Sequence, residues 1–438
     1  MRISECGNAA SKRPPSRSPL LALVDDEPWL AAIETFRARN PRRVARLDAY
    51  DALIVDGAHR RVAMAVLDGR YQPGPPREAS LNKLDGRKKR VFQYEPIDEL
   101  LFRVVNRMLQ PIATEAASPW CRSFLPGGGA RAAFRSVVTD DDLASKAALR
   151  LDVRDYFNSI DVSDLMTRLP EPFTTGPVGA LLERTLFDPR VARGNAIVDD
   201  RHKGVMAGTP LAPLLATLYL SDLDREVASC GATYSRYSDD ILVLAPPDAL
   251  PALESMIRAR LRERGLDVNE SKSSVVGPGE PWDFLGFRYH NHRISLAAVT
   301  ERKFTSRSTR LARGLLRWRE QTGASRERTL RAFFRRTNRR LYGVPSERAD
   351  FSWATWFLPM LDTPDGLAAL DHHVQREARY AATGRRNPRT RREIPYSDLT
   401  TAGHTPLVSA YWKLRDARFR GEPRPRERDL LEPRHRVH

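Results

Sequence analysis

Two adjacent aspartates interrupt an otherwise apolar run, Tyr234-Ser-Arg-Tyr-Ser-Asp-Asp-Ile-Leu-Val-Leu244. The flanks read as strands and the polar centre as the turn between them, so Asp239 and Asp240 fall at a hairpin tip. Neighbouring carboxylates repel, and each raises the cost of ionising the other. A cation relieves that cost. Magnesium binds through a few carboxylates together with substrate phosphates, and two metals about 3.5–4 Å apart clamp the attacking and leaving oxygens of an in-line displacement. Taken alone, the same segment reads equally well as a surface turn.

A second segment bears on the choice. Leu149-Arg-Leu-Asp-Val-Arg-Asp-Tyr-Phe-Asn-Ser-Ile160 places Asp152 at the end of a short apolar strand, ahead of two aromatics. A strand ending in Asp beside a hairpin tipped by Asp-Asp supplies the ligands of a two-metal site. Around these segments the sequence predicts a flexible tail over 1–18, a helical stretch over 26–68 and a break at Tyr71–Pro76. A hairpin follows over 82–94 with its turn at Asp85-Gly86, then an amphipathic helix over 95–112 and a loop at Pro126–Gly129 that opens another helix. The spacing predicts helices over 162–169, 211–227 and 250–264, strand character over 268–289, and basic helices from 301 onward. This order suits an α+β architecture.

The net charge of +17 favours a polyanionic partner, either nucleic acid or an acidic membrane surface. Only nine of the 72 basic residues are lysine. GC-rich codon usage accounts for such an arginine preference but not for the net charge. Where arginine is the default cation, the cluster Lys83, Lys88, Lys89 and the isolated Lys272 carry more information than usual. Cys6, Cys121 and Cys230 make neither a disulfide framework nor a zinc pattern, which fits a reducing, cytoplasmic setting. No signal peptide is visible, and no apolar run approaches the roughly 20 residues that span a bilayer.

From about residue 80 to 290 the sequence resembles the reverse transcriptase family. Tyr237-Ser-Asp-Asp240 matches Tyr-x-Asp-Asp, and Asp152 to Phe157 matches Asp-x-x-x-x-Phe. Gly204 to Ala216 matches the Gly-x-x-x-Gly-x-Pro-Leu-x-Pro-Leu-Leu-Ala helix motif, Asn269 to Lys272 the Asn-x-x-Lys element, and Phe284-Leu285-Gly286 the primer grip. The resemblance implies a right-hand polymerase: an N-terminal extension over 1–70, fingers and palm over 71–290, and a basic helical thumb with a C-terminal extension over 291–438. It implies two Mg2+ ions, with Mn2+ as a substitute, held by Asp152, Asp239, the Val153 carbonyl and, more weakly, Asp240. Lys272 resembles the lysine that protonates leaving pyrophosphate, and Phe157 the steric gate that rejects a ribose 2′-hydroxyl. Lys83 and Arg90 resemble the residues that hold the incoming triphosphate, with Lys88 and Lys89 as competitors for the lysine role. Gly208 and Pro210 fit the loop against the nascent pair. There Met206-Ala207 replaces the family's frequent Pro-Gln, which puts side-chain contacts to the substrate in question.

Past residue 300, Arg313, Arg317, Arg335, Arg336 and Arg339 recur at near-helical spacing among aromatics, as a thumb gripping a nucleic-acid backbone would require. The partners implied are an RNA template, a DNA product and deoxynucleotides. No homing-endonuclease, maturase, retron Val-Thr-Gly or ribonuclease H pattern is visible. What remains resembles stand-alone bacterial enzymes, including those of the abortive-infection and defence-associated groups, and that resemblance implies a non-coding RNA as template. A retron-like or group II intron-like enzyme and a non-catalytic RNA-binding module are the alternatives. An RNA-dependent RNA polymerase is disfavoured by Tyr237 and Phe157.

Overall fold

The computed structural model describes residues 19–82, 88–343 and 352–421, together with Leu430. The helical stretch near the start is three helices: α1 (Glu27–Arg39), α2 (Val44–Val55) and α3 (Ala58–Leu67). Pro41 lies between the first two, and Gly57, at φ 63°, turns the chain into the third. β1 (Arg77–Asn82) and β2 (Lys88–Gln93) pair antiparallel. This hairpin begins earlier than the sequence suggested, and its expected Asp85-Gly86 turn lies outside the described residues, as does Lys83. Next come α4 (Pro96–Ala116), α5 (Ala130–Val138), β3 (Ala147–Asp152) and α6 (Tyr156–Ser159). They are followed by α7 (Val162–Arg168), α8 (Glu171–Thr174) and α9 (Gly176–Leu186). The sequence reading had missed β4 (Arg190–Arg193) and β5 (Ala196–Asp199), short and mostly exposed strands that extend the first sheet to the order β2-β1-β4-β5.

The single helix expected over 211–227 is two, α10 (Ala212–Tyr219) and α11 (Ser221–Ser229). At the break the Thr217 carbonyl accepts the Arg236 guanidinium at 2.9 Å and the Ser221 hydroxyl at 3.2 Å. The expected hairpin is β6 (Thr233–Tyr237) and β7 (Asp240–Ala245), followed by α12 (Leu250–Glu263) and β8 (Ser274–Val276). These strands and β3 form an antiparallel sheet of order β6-β7-β3-β8.

Strand parity explains this sheet. Leu149, Leu151, Ile241 and Val243 enter a core shared with α4, α10, α11 and α12. Ala148, Leu242 and Leu244 point the other way into a second core. Asp152 lies opposite Asp240, and Arg150 opposite Leu242. Successive residues of a strand alternate faces, so Arg150, Asp152 and Asp240 share the second face. There, at the open end of the sheet, the apolar pattern gives way to charge.

The second core is completed by β9 (Trp282–Phe284), β10 (Phe287–His290), β11 (Arg293–Leu296), α13 (Ala298–Thr322) and α14 (Arg326–Tyr342). Beyond them lie α15 (Trp353–Phe357), α16 (Leu367–Thr383), α17 (Thr390–Glu393), α18 (Tyr396–Thr401) and α19 (Leu407–Phe419). α16 packs along α13. Asp371 on α16 accepts the Leu407 and Val408 amides at 2.8 and 3.1 Å, which fixes the start of α19. Among the described residues no helix is long and apolar enough to cross a membrane.

Candidate active site

Asp152 ends β3 and is buried. Its carboxylate accepts Lys272 Nζ at 2.8 and 2.7 Å and Asn269 Nδ2 at 3.0 Å, and its carbonyl accepts the Asn269 amide at 2.7 Å. Asp239 occupies the β6–β7 turn behind Ser238, whose φ of 61° makes the reversal tight. The Asp239 carbonyl accepts the Val153 amide at 2.9 Å, which pins the turn to the end of β3. Arg150 forks onto Asp240 at 2.8 and 2.9 Å.

Burial, then the charge of Asp152, pushes the Asp239 carboxyl up. Burial also raises Asp240, against the pull of Arg150. The two cations at the site pair with Asp152 and Asp240. Among the described residues, none pairs with Asp239. A half-buried, unpaired carboxylate beside a buried one suits a hard divalent cation. Arg150 engages both oxygens of Asp240, as Lys272 engages both oxygens of Asp152. Among the described residues, no three carboxylate, histidine or cysteine side chains converge on one point.

The turn rests on a buried network that the sequence reading missed. Arg236 and Asp224, both fully buried, form a bidentate pair at 2.7 and 2.8 Å, and the Tyr234 hydroxyl donates to Asp224 at 2.8 Å. Arg236 also donates to the Ser238 carbonyl at 3.3 Å.

Phe157 sits half-buried on α6, against the rings of Tyr156 and Phe124. The Lys89 ammonium lies 5.7 Å from the Phe157 centroid. Arg90, one residue on, is instead held by Glu78 at 3.1 Å and by Asp200, and it covers Phe92. The structure thus turns Lys89 toward the ring expected as the gate and engages the guanidinium expected to hold a triphosphate. Asn158 was also missed. Its side chain accepts the Ala207 amide at 3.0 Å and donates to the Arg90 carbonyl at 3.3 Å, tying α6 to β2 and to the Met206-Ala207-Gly208 loop. Gly208, at φ 100°, lies so close to β2 that an added Cβ would sit 3.1 Å from the Phe92 carbonyl. Pro210 is half-buried just ahead of α10.

Asp152, Asp239, Asp240 and Lys272 open on a cleft of about 1340 Å³, which Leu285 and Gly286 of the β9–β10 turn also line. Phe284 faces the second core instead. Across the cleft stand Arg302, Lys303, Arg307, Arg336 and Arg340. Burial and the charges of Arg307 and Arg310 push the Arg340 guanidinium down. Crowded cations of this kind are relieved by a polyanion. Of the arginines singled out in the sequence, Arg336 reaches the cleft, and Arg335 lines an adjoining groove beside Trp318. Arg339 lies on α14 one turn past Arg335. Arg313 and Arg317 lie further along α13, on the side that carries Arg302 and Ser306, beyond the residues that line the cleft.

Residues 87–289 match the family model of reverse transcriptase (RNA-dependent DNA polymerase). The match supports a reverse transcriptase domain in this chain. Its α+β fold of antiparallel sheets packed on helices is that of a right-hand polymerase. Among solved structures, apo telomerase from Candida tropicalis, truncated from its C-terminal domain, is similar at a TM-score of 0.41 and 11% identity, over 51% of this chain and 56% of that one. The chain therefore spans little more than half the length of that relative. No curated protein matches the sequence.

Proposed function

We propose that the protein is an RNA-directed DNA polymerase, with Asp152 and Asp239 as the ligands of two Mg2+ ions. One observation carries the reading: Asp239, unpaired and half-buried, is pinned beside Asp152 at the mouth of a cationic cleft. The metals, when bound, supply charge neutralisation at the attacking and leaving oxygens. The chain's own residues do the rest. Arg150 holds Asp240 as electrostatic support. Lys272 moves from Asp152 to the leaving pyrophosphate, where it acts as general acid. Lys89 binds the incoming triphosphate at the gate side, and Phe157 rejects the 2′-hydroxyl. Arg302, Arg307 and Arg340 neutralise backbone phosphates.

Primer extension on an RNA template with deoxynucleotides and Mg2+ tests this. Wild type is expected to extend and Asp239→Ala to lose activity; extension that survives the substitution refutes the assignment. Ribonucleotides incorporated as well as deoxynucleotides would refute the gate. The narrower reading, a stand-alone bacterial enzyme that copies a non-coding RNA in antiphage defence in the cytoplasm, rests on the motifs absent from the sequence. Sequencing co-purifying nucleic acid, and phage challenge of cells carrying wild type or Asp239→Ala, test it.

A further inference from the structure

Part of the catalytic cleft is built by residues outside the matched segment. Trp353 and Phe357, one helical turn apart on α15, line the same cleft as Asp152, Asp239, Leu285 and Gly286. Both are half-buried, and their rings lie 4.9 Å apart. The β9–β10 turn is fitted to them. Leu285 and Gly286 have φ of 52° and 91°, and a Cβ on Gly286 would meet Thr300 Oγ1 at 2.8 Å and the Phe357 ring at 3.3 Å. The Thr300 hydroxyl and the Ala297 amide both donate to the Gly286 carbonyl.

α15 is also fastened from outside. Ser352 and Thr355 form a reciprocal capping box. From α5, Arg131 donates to the Thr355 carbonyl at 3.1 Å and lies over the Trp356 ring, while Arg135 meets Met360 Sδ at 3.0 Å. These ties hold one side of α15 to the palm and leave Trp353 and Phe357 toward the cleft. Trp353 and Phe357, with Phe304 beside Trp353, set aromatic rings among the cleft's cations, which matches the way proteins hold nucleic acid without reading its sequence, with bases stacked on rings and phosphates on cations.

We propose that Trp353 and Phe357 form a stacking platform for the 3′-terminal nucleotide of the primer strand, holding it against the Leu285-Gly286 turn. The proposal rests on reading the cleft as a polymerase site. It assigns primer positioning to the C-terminal extension.

The test is a binding titration by fluorescence anisotropy, independent of turnover, with two probes: a DNA primer recessed on an RNA template, and a blunt duplex of the same length. Trp353→Leu is expected to weaken the recessed probe about tenfold, the size of one lost stack, and to leave the blunt duplex within about twofold. Trp353→Phe is expected to recover most of the loss, since a ring suffices. Phe357→Leu should behave as Trp353→Leu, which keeps the test open if one variant folds poorly. In extension assays the KM for primer–template should rise while the KM for deoxynucleotide stays unchanged. Equal loss on both probes, equal behaviour of the Leu and Phe variants, or wild-type affinity in Trp353→Leu would each overturn the platform. A wild type that discriminates the recessed end but extends nothing would instead refute the polymerase reading and leave the platform standing.

Discussion

Arg236→Met should be among the most damaging substitutions in the palm, although Arg236 touches neither substrate nor metal. Asp224 accepts three hydrogen bonds, two from Arg236 and one from the Tyr234 hydroxyl. Removing Arg236 leaves a buried carboxylate with one neutral donor, and breaking a buried pair in this way costs roughly 3–5 kcal/mol. The Thr217 carbonyl keeps the Ser221 hydroxyl, but the Ser238 carbonyl loses its guanidinium donor just before Asp239. The double variant Asp224→Leu/Arg236→Met removes both charges and strands only the Tyr234 hydroxyl and the Ser238 carbonyl, at about 1–3 kcal/mol each. It should therefore be more stable than the sum of the two single losses predicts, by about 2 kcal/mol or more. Urea unfolding followed by tryptophan fluorescence, with midpoints compared across the four proteins, measures this. A loss under about 1 kcal/mol for Arg236→Met, or strictly additive losses, would refute the view that this pair holds the turn.

Other expectations concern the site's edges and the C-terminal region. Phe124, at φ 58°, packs on Phe157 and Tyr237 with ring centroids 6.1 and 5.9 Å away. An aromatic pair contributes about 0.5–1.5 kcal/mol, so Phe124→Ala should lower the preference for dNTP over NTP by about 2–10-fold, read as the ratio of kcat/KM values. Arg340→Gln should weaken nucleic-acid binding and lower the salt slope by about one, whereas Arg313→Gln should change neither. Burial pushes the Asp371 carboxyl up to about 6, against the pull of the Leu407 and Val408 amides. Between pH 4 and 6 the folded state then retains a proton that the unfolded state releases. Stability from this group is greatest at low pH, falls as pH rises through 6, and is level above. Asp371→Asn should remove that slope, so its stability relative to wild type should climb by up to about 3 kcal/mol over the interval, read from unfolding midpoints against pH.

What could be read in advance was local. Asp152, the Asp239-Asp240 turn and the strands carrying them follow from apolar runs that end in charge, and the structure places them together. The parity of β3 was equally present in Ala-Ala-Leu-Arg-Leu-Asp, yet only the register with β7 shows Arg150 meeting Asp240 rather than solvent. That meeting gives Asp240 a cation of its own. The break between α10 and α11 was hidden because its cause, Arg236, lies in another element. Choosing Arg313 and Arg317 by spacing identified the basic helix and the side that carries Arg302, but not how far along it the cleft extends. Asn158 sits four residues before Val162 in a stretch that reads as an ordinary turn, and nothing local marks it as the link to Ala207 and Arg90.

The charge balance of the site follows from these non-local contacts. Three carboxylates face two protein cations, and the fold assigns both: Arg150 to Asp240 through strand register, Lys272 to Asp152 through the Asn269 turn. The residual negative charge falls on Asp239, whose backbone is held by its own carbonyl on Val153 and by the Arg236 network beneath Ser238. Neutralising Arg150 should release Asp240 and spread that charge over two carboxylates. Arg150→Met is then expected to bind Mn2+ more tightly than wild type in a fluorescence or calorimetric titration, yet to turn over more slowly, because the second carboxylate is no longer fixed. Unchanged Mn2+ affinity in Arg150→Met would show that Arg150 does not withhold Asp240 from the metal.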